Sequence, residues 1–207
     1  MISYSNSVLE NPGHDISVMN KSISLPERFL FKYEGYHLAN MKYSLKDMSD
    51  RKLYKFKMNI LKDITCLSDI KHHSLFKMTM NSQGNDRKKL VIHSKKIDKF
   101  IVSLKKGFLA TDNNYTIAYY NKMKKRTENF NIYENDNKVE IYYGNKKNGD
   151  DILICKAEKC DYTKFDYLIK IAPKIDKTFL TLIIINLINK KVMAKEKSNG
   201  KCSFFLN

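Results

Sequence analysis

The stretch FLTLIIINLI, Phe179–Ile188, decides the fold of this 207-residue chain, because no other part of it is so continuously hydrophobic. A helix that spans a bilayer needs about 20 apolar residues, and this stretch has about half that length. Asp176 precedes it as an N-cap, and Lys190 and Lys191 follow it, where positive charge favours the C-terminus of a helix. We therefore predict a core helix at about 177–190, enclosed by a soluble domain, and we favour this over a membrane span.

The chain before this helix has the pattern of many β-strands. Apolar and polar residues alternate in short runs such as Tyr54–Met58 and Phe76–Met80, and alternation turns one face of a strand toward a core. Turn-forming residues such as Ser82–Asn85 and Asn135–Asn137 separate the runs. Roughly eleven or twelve strands at close spacing indicate an all-β sandwich or barrel. A closed antiparallel barrel of about twelve strands has an interior wide enough to hold the helix, and this is the fold we predict.

The pattern divides the chain into three parts. Residues 1–26 are polar, and we expect them to form a flexible lead-in. The barrel domain is predicted at 27–191 and includes the helix. Residues 192–207 are predicted to be a C-terminal tail.

The N-terminal sequence and the cysteines predict the compartment of the protein, and its charged residues predict the partners it attracts. The N-terminal residues lack a basic segment followed by an apolar one, so we expect no secretory signal. The four cysteines form no CxxC pair, and the expectation is reduced thiols in the cytoplasm. Lys and Arg number 38 against 22 Asp and Glu, and the net charge of +16 favours binding to acidic lipid or nucleic acid. A lysine-rich composition set by an AT-rich genome would give the same charge without a binding role.

Four segments carry a resemblance to a known family. MKYSLKDMSDRKLYKFKM at 41–58 is an aromatic strand, an aspartate, a polar turn and a second aromatic strand, and ITCLSDIKHHSLFKMTM at 64–80 and KVEIYYGNKKNGDDILICKAEK at 138–159 repeat this arrangement. FDYLIKIAPKIDKTFLTLIIINLINKK at 165–191 is a strand, the residues Pro-x-Ile-Asp and the apolar helix. Over about residues 28–191 the chain resembles the LURP-one-related proteins. It is also similar to the wider tubby C-terminal-like superfamily, which includes the phospholipid scramblases. The resemblance implies a barrel of about twelve strands around a central hydrophobic C-terminal helix.

The functions within this superfamily differ. Tubby domains bind phosphoinositides through a basic surface, scramblases are described as calcium-dependent lipid movers, and the LURP-one branch is linked to plant defence. Calcium needs several oxygen ligands in close succession, but the segment before the closing strand offers only Asp161 and Asp166, with Lys164 between them. The sequence lacks the motifs of nucleotide-binding proteins, hydrolases and metalloproteases. His72 and His73, the adjacent histidines, fall in a predicted turn and do not indicate a metal site. We therefore expect no metal, no cofactor and no enzymatic activity.

Clusters of positive charge remain as candidates for a binding site. They fall at or near predicted turns, and the strongest is NKMKKRTEN, in which Met123 lies among four cations. The candidate lipid-binding residues are Lys122, Lys124, Lys125, Arg126, Arg87, Lys88, Lys89, Lys146 and Lys147. For any one cluster alone, a solvated loop is the simpler interpretation.

These observations predict a non-enzymatic, tubby-like module without a transmembrane segment. It would bind anionic lipid of the phosphoinositide type, or a partner protein, in the cytoplasm or at the periphery of a membrane. Three alternatives stay open: a protein-interaction subunit that binds no lipid, a scramblase-like lipid mover, and nucleic-acid binding through the basic surface.

Overall fold

The computed structural model describes residues 8–19, 23–37, 40–59, 62, 64–83, 87–94, 99–106, 114–144, 151–160 and 166–198. Within these residues, twelve strands precede one helix. In chain order they are β1 (Arg28–His37), β2 (Asn40–Lys46), β3 (Lys52–Asn59), β4 (Ile64–Asp69), β5 (Ser74–Gln83), β6 (Arg87–Ser94), β7 (Lys99–Lys106), β8 (Asn114–Asn121), β9 (Arg126–Glu134), β10 (Lys138–Tyr143), β11 (Ile152–Lys159), β12 (Tyr167–Ile171) and α1 (Lys177–Ser198).

The described strands belong to one antiparallel sheet. Each strand pairs with the strands before and after it in the sequence, and β1 also pairs with β12, from Arg28 opposite Lys170 to Phe31 opposite Tyr167. The strand order therefore returns to β1, and we call this arrangement the strand ring. The prediction of a mainly β fold with a C-terminal helix is confirmed.

The inward face of the strand ring is apolar because large side chains alternate with polar ones along the strands. The fully buried side chains include Phe31, Tyr43, Phe56, Phe76 and Phe130. Aromatic rings contact one another between strands: Phe31 of β1 stacks on Tyr43 of the neighbouring β2 with ring centroids 4.5 Å apart, and it meets Phe56 of β3 edge-on at 5.8 Å. Such cross-strand pairs stabilise a sheet beyond the burial of their area.

As far as Val192, helix α1 lies mostly buried inside the strand ring. Its residues from Phe179 to Ile188 are at most 6% exposed, as expected for a helix that is apolar nearly all round. Asp176 is the N-cap, since its Oδ1 accepts a hydrogen bond from the backbone N–H of Phe179 at 2.9 Å. The buried helix and its cap are confirmed. Among the described residues, no helix has both the length and the apolar character needed to cross a membrane.

The helix is longer than predicted. We expected it to end at about residue 190, beside Lys190 and Lys191, but it continues to Ser198. Val192 is still buried, and the following residues Met, Ala, Lys and Glu all favour helix. Lysines favour a helix C-terminus through the macrodipole, but they remove no backbone hydrogen bond and so do not stop a helix. Part of the predicted tail is therefore helical.

The N-terminal segment packs against the strand ring, which differs from the expected flexible lead-in at 1–26. We call its described part, residues 8–19 and 23–27, the N-terminal strap. Ile16 forms a parallel bridge with Ile175, just before the helix. The buried residues of the strap are Ile16, Val18, Ile23 and Leu25. Burial of these side chains offsets the loss of chain entropy on ordering the strap.

Candidate functional site

The strand ring has two ends, and the predicted site residues that the structure describes divide between them. Because neighbouring strands are antiparallel, the β2–β3, β4–β5 and β8–β9 turns lie at the same end as the connection from β12 to α1. We call this the helix-start end. The N-terminal strap reaches it too, because the strap leads into Arg28 at the start of β1.

Lys122–Lys125 form the β8–β9 turn at the helix-start end. The preceding Asn121 holds the turn, because its Oδ1 accepts a hydrogen bond from the backbone N–H of Met123 at 3.1 Å. The side chains of Met123, Lys124 and Lys125 are exposed. Within the described part of the chain, neither Lys124 nor Lys125 forms a side-chain hydrogen bond or ion pair. The turn therefore presents two ammonium groups that are available to an external anion.

Hydrogen bonds connect this turn to the start of the helix. The backbone N–H of Lys122 donates to the carbonyl of Ser17 in the strap at 2.9 Å. The strap then donates from the N–H groups of Val18 and Met19 to Oδ2 of Asp176, at 3.0 and 2.8 Å. Asp176 thus caps α1 with one oxygen and holds the strap with the other. The basic turn is therefore held by a hydrogen bond to the strap and, through the strap, by Asp176 at the start of the helix.

Arg126, a predicted lipid-binding residue, is paired with a buried carboxylate. Its Nε and Nη2 both lie 2.9 Å from Oε1 of Glu128. Glu128 also accepts hydrogen bonds from Asn121 Nδ2 at 2.9 Å and from the hydroxyl groups of Tyr119 and Tyr143. Burial acts to raise the pKa of Glu128, but the hydrogen bonds outweigh it and lower the pKa to about 2. Arg126 therefore neutralises Glu128, and the lysines carry the excess charge of the turn.

Two lysines that the sequence did not single out lie beside the turn. Lys174 and Lys177 line a cleft of about 430 Å³ between the strap and the helix start, and Met123 lines it as well. Lys174 is exposed, and the Nζ of Lys177 donates to the carbonyl of Leu25 at 3.2 Å. Both belong to the segment that carries the Pro-x-Ile-Asp motif, but only the strand pairing reveals that this segment adjoins the β8–β9 turn.

The other predicted residues are not shown at this site. Arg87, Lys88 and Lys89 begin β6 instead of forming a turn, and they lie at the opposite end of the strand ring, next to the β5–β6 connection. Their side chains are outside the described part of the structure. Lys146 and Lys147 lie outside the described residues altogether.

A second cleft, of about 590 Å³, adjoins Arg126 and Tyr143. Its lining is mostly hydroxyl and amide side chains of β8 and β9, such as Thr116 and Asn129. The charged residues that line it are Arg126 and Glu128, which form an ion pair. This cleft therefore adds no net positive charge to the helix-start end.

Asp166 and Cys155, two side chains that could bind a metal ion or react, have structural roles in the fold. Within the described ranges, no group of three or more His, Cys, Asp or Glu residues is placed to hold a metal ion. Asp166 accepts a hydrogen bond from the backbone N–H of Tyr33 at 2.9 Å, and Asp161 lies outside the described residues. Burial raises the pKa of the Cys155 thiol well above its usual value, so this cysteine packs as a small apolar residue.

Comparison with known proteins supports the fold. No protein-family model matches the chain, and no curated protein matches it. Among solved structures, the chain is similar to the X-ray structure of an Arabidopsis thaliana protein, AT5G01750, with a TM-score of 0.50 and 14% sequence identity. The similarity covers 89% of this chain and 98% of the Arabidopsis chain. At this identity the two proteins share a fold, and the similarity assigns no activity.

Proposed function

We propose that this chain is a tubby-like module of the LURP-one-related type, a closed barrel around its C-terminal helix, and that it binds anionic membrane lipid peripherally without catalysing a reaction. The fold shared with the Arabidopsis protein and the pairing of β1 with β12 support this classification. The cytoplasmic leaflet carries the anionic lipids of a cell membrane, and we propose that the protein acts there.

The β8–β9 turn is the observation that carries the proposal. Lys124 and Lys125 are exposed and make no ion pair within the described part of the chain, and exposed Lys174 lies on the adjoining connection to α1. A lysine near an anionic leaflet contributes about 1 kcal/mol to binding. Three such lysines would contribute about 3 kcal/mol, which is roughly a hundredfold in affinity. This is enough to favour anionic over neutral vesicles.

Vesicle flotation at physiological salt tests the proposal. We expect the protein to float with phosphatidylcholine vesicles that contain phosphatidylserine or a phosphoinositide, and to float far less with phosphatidylcholine alone. The variant Lys124→Glu/Lys125→Glu should lose at least about tenfold in binding, because it replaces two attractions with two repulsions. Arg126 is left unchanged, since its loss would leave the buried Glu128 without its cation.

A matched control separates local charge from total charge. Lys57 and Lys77 are exposed on β3 and β5, so Lys57→Glu/Lys77→Glu makes the same change in net charge away from the turn. This variant should bind nearly as well as wild type. Equal losses in the two variants, or no binding by wild type, would contradict the proposal. Co-purification of a stoichiometric partner without lipid binding would favour the protein-interaction alternative, and a salt-dependent gel shift would favour nucleic acid.

A further inference from the structure

Three turns at the helix-start end share a backbone feature. Each contains a residue in the left-handed region one or two positions before the next strand: φ is 63° at Asp50, 66° at His72 and 51° at Lys125. In each turn, a large apolar residue stands two positions before the left-handed residue. These residues are Met48 in the β2–β3 turn, Ile70 in the β4–β5 turn and Met123 in the β8–β9 turn.

The three apolar side chains point into solvent. Met48 is 53% exposed, Ile70 is 54% exposed and Met123 is 64% exposed. The backbone does not require them, because none of the three has a positive φ and most residue types are accepted at such turn positions. A single exposed apolar residue is ordinary, but three in equivalent positions at one end of the molecule indicate a common function. The described β9–β10 turn at the other end, Asn135–Asn137, has only polar residues.

Side-chain hydrogen bonds fix the backbone of the three turns that carry Met48, Ile70 and Met123. We call these three side chains the apolar tips. Asp47 Oδ1 accepts from the N–H groups of Ser49 and Arg51, at 3.0 and 2.9 Å. Asp69 Oδ1 accepts from the N–H of His73 at 2.8 Å. In the third turn Asn121 plays the same part for Met123. The tips are therefore held outward before any partner binds, which lowers the entropy cost of binding.

Each tip is also close in sequence to an exposed cation. Lys71 follows Ile70 directly and Lys124 follows Met123 directly. Arg51, three positions after Met48, is an exposed cation that forms an ion pair with Asp47. Apolar side chains that enter the headgroup region, with cations beside them for the phosphate groups, are the means by which peripheral segments bind anionic bilayers.

We propose that the helix-start end faces the membrane, and that Met48, Ile70 and Met123 insert at the boundary between the headgroups and acyl chains of an anionic bilayer. This inference rests on the proposed function. It adds which end of the protein meets the membrane and how deeply its side chains enter the bilayer. Three tips spaced around one rim of the strand ring would hold the start of α1 toward the membrane and the opposite end away from it.

The absence of tryptophan from the chain allows a direct test. Single variants Met48→Trp, Ile70→Trp and Met123→Trp each place one fluorophore at one tip. Tyr36→Trp is the matched control, because Tyr36 is 46% exposed and lies near the end of β1, at the opposite end of the strand ring. With phosphatidylserine-containing vesicles, we expect a blue shift and quenching by acyl-brominated lipid for the three tip variants and neither effect for the control.

The outcomes separate this inference from the proposed function. If all four variants bind the vesicles and the tip tryptophans respond no more than Trp at position 36, lipid binding stands and insertion is refuted. Quenching at one tip alone would refute the three-point orientation. If none of the variants binds anionic vesicles, the proposed function fails and the inference fails with it. As a second measurement, Met48→Ser/Ile70→Ser/Met123→Ser should lower vesicle partitioning about tenfold or more while leaving the unfolding transition unchanged.

Discussion

Glu128 shows how a single buried carboxylate organises the helix-start end. It lies on β9 and accepts hydrogen bonds from Tyr119 and Asn121 on β8 and from Tyr143 on β10. His14 of the N-terminal strap approaches it as well, with Nε2 at 3.7 Å from Oε2. One side chain thus connects three strands and the strap, directly beneath the basic turn.

We predict that Glu128→Gln flattens the acid dependence of stability. The pKa of Glu128 is lowered from 4.5 to about 2 in the folded protein. The ionised carboxylate therefore stabilises the folded state fully above about pH 4.5, and this contribution is lost as pH falls toward 2. The shift corresponds to about 3 kcal/mol, of which about 2 kcal/mol is lost by about pH 3. Urea unfolding at about pH 6 and about pH 3 should show that the wild type loses more stability than the variant. An equal loss in both proteins would contradict the role assigned to Glu128.

Local sequence determined which residue roles could be predicted. The Asp176 cap is visible in the sequence because its partner, the N–H of Phe179, is three residues away. Glu128 is not visible, because Tyr143 comes from another strand and contributes only after the sheet has formed. For the same reason Arg126 looked like a free cation in NKMKKRTEN, although the structure pairs it with Glu128.

The N-terminal strap is the element that could not be predicted from the sequence. Its apolar residues do alternate, as Ile16 with Val18 and as Ile23 with Leu25, but each run is too short to predict a strand. Its main hydrogen-bond partners are far away in the sequence: the N–H of Ile16 donates to the carbonyl of Lys174 at 3.0 Å. The strands could be predicted because alternating runs recur along the chain, and α1 because its apolar stretch is continuous, whereas the strap depends on tertiary contacts.

Two threonines of α1 should respond in opposite ways to the same substitution. Thr178 Oγ1 accepts a hydrogen bond from the N–H of Ile23 at 2.8 Å, so Thr178→Val leaves a buried donor unpaired and should lower the free energy of unfolding by about 1–3 kcal/mol. The buried hydroxyl of Thr181 has no hydrogen-bond partner among the described residues, so Thr181→Val should raise the free energy of unfolding by about 1 kcal/mol. Urea unfolding measures both changes, and destabilisation by Thr181→Val would show that its hydroxyl has a stabilising partner.

For the whole molecule, the number of strands determines which residues share an end. In an antiparallel sheet each added strand reverses the direction of the chain. A count of eleven or twelve strands, as the sequence allowed, therefore leaves open which turns lie beside the helix start. Lys174 and Lys122 could be recognised as neighbours, and Arg87 as distant from both, only once the strand order was known. The fold class could be predicted from patterns along the chain, but the composition of the binding face could not.

The net charge of +16 leads to a prediction about how the whole molecule binds membranes in salt. The Debye length falls from about 10 Å at 0.1 M salt to about 3 Å at 1 M, so added salt weakens contacts between lysines and lipid but not apolar insertion. Binding of wild type to anionic vesicles should fall steeply with salt and then level off at the part supplied by the apolar tips. In flotation across a salt series, Lys124→Glu/Lys125→Glu should start lower and fall less steeply. The triple serine variant of Met48, Ile70 and Met123 should fall to no detectable binding, because at high salt neither charge nor apolar insertion holds it. If high salt releases the wild type as completely as the triple serine variant, the protein is held by charge alone and the tips stay in water.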